Sequence, residues 1–316
     1  MTDKNYTIPI AYSTDDNYAM PVAVSIKSIL FNSKNKDLFF IILYKNKLSE
    51  KSKRIIDLSI CGTNSKIEYI DIKDSITDVY LPISHISECG YYRFVLPDML
   101  IEYDKCVYLD GDTILKKDIT CLINEELNSN YIAAVRCESL LDSVFTYRHD
   151  HMKELGIDSL SHYINSGVLI LNLKELREHK LSKKMIEMIN NKYSIQDQDI
   201  YSVACYGKIK LLDPKYNVVP GILEKTIMEL KNAYTAKQIK DARNNPVIIH
   251  FADKQKPWNY YGMKYGDEWD KYYNMLFEES IDGRKKYFKS TFIKRNITII
   301  KNGFKYIYKK VFNKVD

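Results

Sequence analysis

Val107-Tyr108-Leu109-Asp110-Gly111-Asp112-Thr113-Ile114-Leu115 sets two carboxylates two residues apart between apolar β-formers. Side chains at i and i+2 of an extended segment point the same way, so Asp110 and Asp112 can converge on one point. Two unneutralised carboxylates held that close repel, and such a pair persists where a divalent cation or a shared proton relieves it. All-oxygen ligands favour Mg²⁺ or Mn²⁺, ions that keep open positions for substrate phosphates. The stretch therefore reads as a metal and diphosphate site at the end of a strand. Asp-Gly-Asp is also ordinary turn chemistry, so the motif alone leaves a plain turn open.

Outward from this stretch, strand and helix patterns alternate. Tyr6 to Tyr12 reads as a first strand ending in the polar turn Ser13-Thr14-Asp15-Asp16-Asn17, and Ala19 to Phe31 follows with helical periodicity. Leu38 to Tyr44 has the length and composition of a buried strand, Ser49 to Ile60 of a helix capped by Ser49, and Lys66 to Ile72 alternates as a third strand. Cys106 to Leu109 is the strand that delivers the carboxylates, and Tyr131 to Cys137 the next. In Tyr163-Ile164-Asn165-Ser166-Gly167-Val168-Leu169-Ile170-Leu171-Asn172-Leu173 a polar front suggests a turn feeding a buried strand. Glu175 to Asn190 reads as one helix, Gln196-Asp197-Gln198-Asp199-Ile200 opens another, and Pro246 to Phe251 is a short late strand. This order predicts an α/β fold, a doubly wound, mostly parallel sheet with helices on both faces and ligands at the carboxyl ends of its strands.

The bulk properties exclude several classes. No apolar run reaches the roughly 18 residues a membrane span requires, and the polar start lacks a signal-peptide core, so export is not expected. The six cysteines are scattered with no C-x-x-C spacing, which speaks against zinc and for reduced thiols in a cytoplasmic setting. Net charge is +6, but residues 284–316 hold eleven Lys or Arg against the single acid Asp316, and the remainder is slightly acidic. In that tail Ile293, Ile297, Ile300, Phe304, Ile307 and Val311 recur at helical spacing with lysines between them. A basic amphipathic helix of this kind suits an anionic membrane surface; the bland reading docks the same stripe on the protein's own core. No nucleic-acid motif accompanies the charge, and no nucleic-acid partner is expected.

His250 ends a strand just before a loop carrying Lys254, Lys256 and Trp258. A neutral imidazole can complete an Asp, Asp, His set around Mn²⁺, which accepts nitrogen beside oxygen more readily than Mg²⁺. Lys256 can then meet phosphate oxygens as a point charge. Asp197 and Asp199 lie in a first helical turn, where simple capping competes with any chemical role.

Six motifs in order resemble the retaining glycosyltransferases of family 8, which include bacterial lipopolysaccharide galactosyl- and glucosyltransferases and, more distantly, glycogenin. They are Ser13-Thr14-Asp15-Asp16-Asn17-Tyr18, Tyr92-Arg93-Phe94, Tyr108-Leu109-Asp110-Gly111-Asp112, Asn165-Ser166-Gly167-Val168, Asp197-Gln198-Asp199-Ile200, and His250 with Lys256-Pro257-Trp258. The resemblance implies a GT-A fold over residues 1–283 that binds a UDP-hexose through Mn²⁺, with Mg²⁺ the second candidate. Asp110, Asp112 and His250 take the metal-ligand roles. Asp15 and Asn17 match positions that hold uracil and ribose; Arg93, Asn165, Asp197 and Gln198 match positions lining the donor sugar. Lys256 matches a residue that grips the diphosphate. The chain departs from the family at Asp253, where glycine is usual and a side chain adds a Cβ and a like charge beside the phosphates.

The expected reaction moves glucose or galactose to a hydroxyl of a glycan or glycolipid at the inner face of the membrane, with residues 284–316 as the attachment. Departure of a diphosphate leaves negative charge that a divalent cation and Lys256 stabilise. A carboxylate such as Asp197 or Asp199 favours the oxocarbenium-like sugar. Gln198 is a weak nucleophile, which favours attack from the leaving-group face over a covalent intermediate. Two alternatives remain on the residues: a non-catalytic nucleotide-sugar-binding protein, and a metal-dependent phosphatase of the haloacid dehalogenase type. The phosphatase is disfavoured because its Asp-x-Asp opens the first strand and carries Thr or Val where this chain has Ile114.

Overall fold

The computed structural model describes residues 8–73, 75–76, 87–137, 152–157, 162–191, 193, 195–220, 234–260 and 262–278. The basic tail at 284–316 and its expected helix lie outside these residues.

Seven strands form one mixed sheet in the order β3-β2-β1-β4-β7-β6-β8. They are β1 (Ile10–Ser13), β2 (Phe39–Tyr44), β3 (Lys66–Asp71), β4 (Lys105–Leu109), β6 (Ile132–Arg136), β7 (Ile164–Asn172) and β8 (Ile209–Leu211). β1, β2, β3 and β4 pair in parallel, β7 runs antiparallel to both β4 and β6, and β8 is parallel to β6. Two short strands, β5 (Thr113–Leu115) and β9 (Ile248–His250), pair antiparallel as a separate ribbon. Strand order reverses between β1 and β4, and the carboxyl ends of these two neighbours flank the crevice in which open α/β sheets hold their ligands.

The central strands divide their side chains by alternation. Ile10, Tyr12, Phe40, Ile42, Val107 and Leu109 fill one face, and Ala11, Ile41, Leu43, Cys106 and Tyr108 the other. Both faces are apolar because helices cover both. α1 (Ala19–Asn32) packs on the first face and against a late helix, so eleven of its residues are buried. α2 (Glu50–Leu58) begins as expected at Ser49, whose hydroxyl accepts the Ser52 N–H. The short helices α3 (Cys89–Tyr92), α4 (Leu96–Met99) and α5 (Thr120–Ile123) follow. α6 (Leu173–Glu178), α7 (Leu181–Met188) and α8 (Gln196–Ala204) cover the second face, ahead of α9 (Ala236–Asn244) and α10 (Gly266–Glu278). Trp269, Tyr272 and Tyr273 of α10 pack against Ala23 and Val24 of α1 and Ile249 of β9. Among the described residues no helix is long and apolar enough to cross a membrane.

Two local expectations are corrected. Glu175 to Asn190 is not one helix: Lys180 adopts a left-handed backbone with φ 53° and separates α6 from α7. The buried positions explain the break, because Leu173 and Leu176 are followed by Leu181, Met185 and Met188, a five-residue step that no single helical stripe accommodates. The polar front Asn165-Ser166-Gly167 is not a turn either. It lies inside β7, a nine-residue strand whose carbonyl at Gly167 accepts the Asp110 N–H at 2.8 Å.

Candidate active site

The carboxylate pair stands at a turn and a site at once. β4 ends at Leu109, the Asp110 carbonyl accepts the Thr113 N–H at 3.2 Å, and β5 starts at Thr113. The two aspartates therefore do not share one extended segment, and pleat geometry is not what gathers them. A buried hydroxyl chain holds the turn instead: Tyr12, Ser25 and Thr113 are linked at 2.9 and 3.0 Å, and Thr113 donates to the Asp110 carbonyl at 2.8 Å.

His250 arrives by strand pairing. The β5–β9 register sets Thr113 opposite His250, and Phe251 N–H donates to the Asp112 carbonyl at 2.9 Å. His250 Nε2 then lies 3.2 Å from Asp112 Oδ1 and 3.7 Å from Asp110 Oδ2. One ligand atom from each of the three residues falls within 4.8 Å of the others. Gly167 keeps the space open: a Cβ there would stand 2.1 Å from His250 Cε1 and 2.7 Å from Asp110 Oδ2. Asp112 Oδ1 is buried with no hydrogen-bond partner. Two carboxylates, one imidazole and an unsatisfied oxygen form a donor set that fits a divalent cation.

Besides the divalent cation or shared proton expected from the sequence, two cationic side chains of the protein meet the carboxylates. The buried Arg93 guanidinium donates to Asp110 Oδ1 at 2.9 Å, to the Ser166 carbonyl at 2.5 Å and to the Gly90 carbonyl at 2.8 Å. It also lies 3.3 Å from Asp197 Oδ2 and 4.1 Å from the centre of the Tyr108 ring. Lys256 Nζ donates to Asp112 Oδ2 and to the Phe251 carbonyl, both at 2.6 Å. Burial works against ionisation of Asp112, yet Lys256 and His250 outweigh it and hold the carboxyl well below the usual carboxylate range. At Asp197 burial wins over Arg93, with Asp110 adding to it, and the carboxyl is raised.

These groups line one cavity of about 640 Å³. Asp15, Arg93, Asn165, Asp197, Gln198 and Lys256 lie along its wall together with the Asp110, Asp112 and His250 cluster. The sequence of this chain matches the model of glycosyl transferase family 8 over residues 9–262. The chain belongs to glycosyl transferase family 8.

As a family 8 member it is a glycosyltransferase, and lipopolysaccharide glucosyl- and galactosyltransferases are among its relatives. It is 28% identical to the lipopolysaccharide 1,2-glucosyltransferase of Escherichia coli K12, covering 86% of this chain and 78% of that protein. It is also 28% identical to the lipopolysaccharide 1,3-galactosyltransferase of Salmonella typhimurium LT2, with 80% and 73% covered. The fold is that of the galactosyltransferase LgtC, solved with donor and acceptor sugar analogues, at a TM-score of 0.72 and 24% identity over 85% of this chain and 96% of that one. WbbM, a bifunctional glycosyltransferase, superposes at a TM-score of 0.76 and 22% identity over 95% of this chain, which spans 53% of WbbM. These matches identify the mixed sheet as the GT-A fold expected from the motifs.

Two residues singled out in the sequence of this family 8 chain stand off the cavity wall. Asn17 is exposed, and its backbone N–H donates to Asp15 Oδ1 at 2.8 Å in a local turn. Asp199 is fully buried: one carboxylate oxygen accepts the Ile195 N–H at 2.8 Å and the other the Tyr163 hydroxyl at 2.5 Å. It thus caps α8, while Asp197 faces Arg93. Gln198 Nε2 donates to Cys137 Sγ at 3.5 Å. Asp253, the departure from the family pattern, is exposed at the cavity and its carboxylate accepts the Lys254 N–H.

Other residues of the site escaped sequence reading. Tyr18 lines the cavity and meets Trp258 edge-on, with ring centres 5.7 Å apart. Gln196 has a left-handed φ of 44°, and both atoms of its buried amide lack partners. Asn217 is 2% exposed and touches His250. Tyr18 and Gln196 lie in stretches quoted for their neighbours, and Asn217 lies in none; a strand or helix end brings each to the site.

Proposed function

We propose that this chain is a retaining hexosyltransferase that moves glucose or galactose from a UDP-hexose to a hydroxyl of a glycan or glycolipid precursor, with Mn²⁺ bound and Mg²⁺ as the weaker substitute. The observation that carries the reading is the convergence of Asp110, Asp112 and His250 around a space that Gly167 leaves open. Those three residues would hold the cation, which supplies charge stabilisation to a departing diphosphate when bound. Lys256, already 2.6 Å from Asp112, is the cation beside the place such a diphosphate would occupy. Asp15 lies on the same wall for the nucleoside, while Asn17 stands off that wall and holds Asp15 through its backbone N–H.

In the proposed step the sugar C1–O bond breaks and its electron pair leaves with the diphosphate. The acceptor oxygen attacks C1 from that same face and gives its proton to a departing phosphate oxygen. Asp197, held by Arg93, faces the oxocarbenium-like sugar, and Gln198 orients it through its amide. Asp199 is given no part in the chemistry, since both of its oxygens are used in capping α8 and fixing Tyr163. The tail at 284–316 is proposed to keep the enzyme on an anionic membrane surface where such precursors are built.

The test is UDP release from UDP-glucose and UDP-galactose in the presence of Mn²⁺ without acceptor. Slow release from one of the two is expected, and Asp112→Asn removes it. A protein that binds UDP-sugar and releases none is a binding module, and that outcome rejects the reading.

A further inference from the structure

We infer that Asn217 is a positioning residue that fixes the ring tautomer of His250, so that Nδ1 carries the hydrogen and Nε2 presents its lone pair to Asp110 and Asp112. The assignment starts from a group whose polarity is certain. The backbone N–H of Gly167 can only donate, and it lies 3.0 Å from Asn165 Oδ1. That contact makes the Asn165 atom a carbonyl oxygen. The Asn217 side-chain atom 2.8 Å from the same oxygen must then be the amide nitrogen. The Asn217 carbonyl oxygen is therefore the atom 2.9 Å from His250 Nδ1. An amide oxygen accepts and cannot donate, so Nδ1 is the protonated nitrogen and Nε2 of the neutral ring is the acceptor.

Asp112 Oδ1 lies buried 3.2 Å from Nε2, on the side of the ring away from Asn217. The backbone holds the relay at both ends. Val218 N–H donates to the Ile248 carbonyl and His250 N–H to the Val218 carbonyl, each at 2.9 Å, so the residue after Asn217 is tied to the strand that carries His250. At the other end Gly167 also accepts the Asp110 N–H. Asn217 and His250 are 2% and 3% exposed, which leaves no solvent route to replace the amide. One backbone amide thus decides, through two asparagine side chains, which nitrogen of the His250 ring carries the hydrogen.

The inference rests on the reading of Asp110, Asp112 and His250 as a cation site, and two measurements separate them. Long-range ¹H–¹⁵N NMR of the full-length metal-free protein, taken at a pH where the ¹⁵N shifts show the His250 ring to be neutral, is expected to show its hydrogen on Nδ1. Protonation at Nε2 overturns the assignment. Mn²⁺ titration, followed by the loss of the free-ion EPR signal, is expected to be about 10 to 100-fold weaker for Asn217→Leu than for the wild type, with the Nε2–H tautomer appearing in that variant. Wild-type affinity in Asn217→Leu overturns the positioning role. Should that variant not fold, the wild-type NMR spectrum decides alone. A wild type with Nδ1–H that binds no Mn²⁺ keeps the tautomer and rejects the cation site.

Discussion

Gly167 leaves less room for substitution than any other described glycine, because a Cβ there would run into His250 and Asp110 together. Those neighbours are held from behind, His250 by Asn217 and Asp110 by Arg93, so neither can yield cheaply. Gly167→Ala is expected to cost about 1–3 kcal/mol of stability and to weaken Mn²⁺ binding at least tenfold; thermal unfolding and a metal titration read the two effects, and an unchanged Mn²⁺ affinity contradicts the site's geometry. Residue types announced most of this chemistry: Asp110, Asp112, His250 and Lys256 were legible because few other roles suit them at strand ends. Asn217 was not legible, since an isolated asparagine is common and its meaning comes from the two atoms it touches. Gln196 carries the same lesson, its left-handed backbone and unpartnered amide having no counterpart in local sequence.

At the scale of elements, alternation and periodicity located β1 to β4, β6, β7 and β9 and the helices α1, α2 and α8, because the longer of these present a continuous apolar face to the sheet. The break between α6 and α7 was hidden by good helix formers on both sides of Lys180. Lys180 follows the cap of α6, with its N–H on the Arg177 carbonyl at 2.9 Å, the position where a left-handed glycine usually ends a helix. Lys180→Gly is expected to stabilise the protein by about 1 kcal/mol through relief of that backbone, a rise in Tm of roughly 2 °C for a domain of this size. A lower Tm would mean that the lysine side chain contributes more than its conformation costs. The three-residue strands β5 and β8 were missed, as they carry too little pattern to register, and the late strand at Pro246 to Phe251 gave no sign of its pairing with β5.

At the scale of the whole molecule, charge is divided between a slightly acidic body and the basic residues 284–316. Cosedimentation with vesicles of anionic phospholipid is expected to retain the full-length protein and not residues 1–283, at about 1 kcal/mol of attraction per basic residue near the surface. Equal binding by both removes the membrane from the proposal. The sequence by itself determined the layered α/β architecture, the family and the chemical types at the site, because burial on both sheet faces and motif order are properties of the chain read in line. Tertiary structure alone decided that Asp110 and Asp112 meet across a turn, that β5–β9 pairing sets His250 beside them, that Arg93 and Lys256 neutralise them, and that Asp199 caps a helix. The physical reason is that a coordination set and its hydrogen-bond relay are fixed by distances of about 3 Å between residues far apart in the chain, and no local pattern encodes such distances.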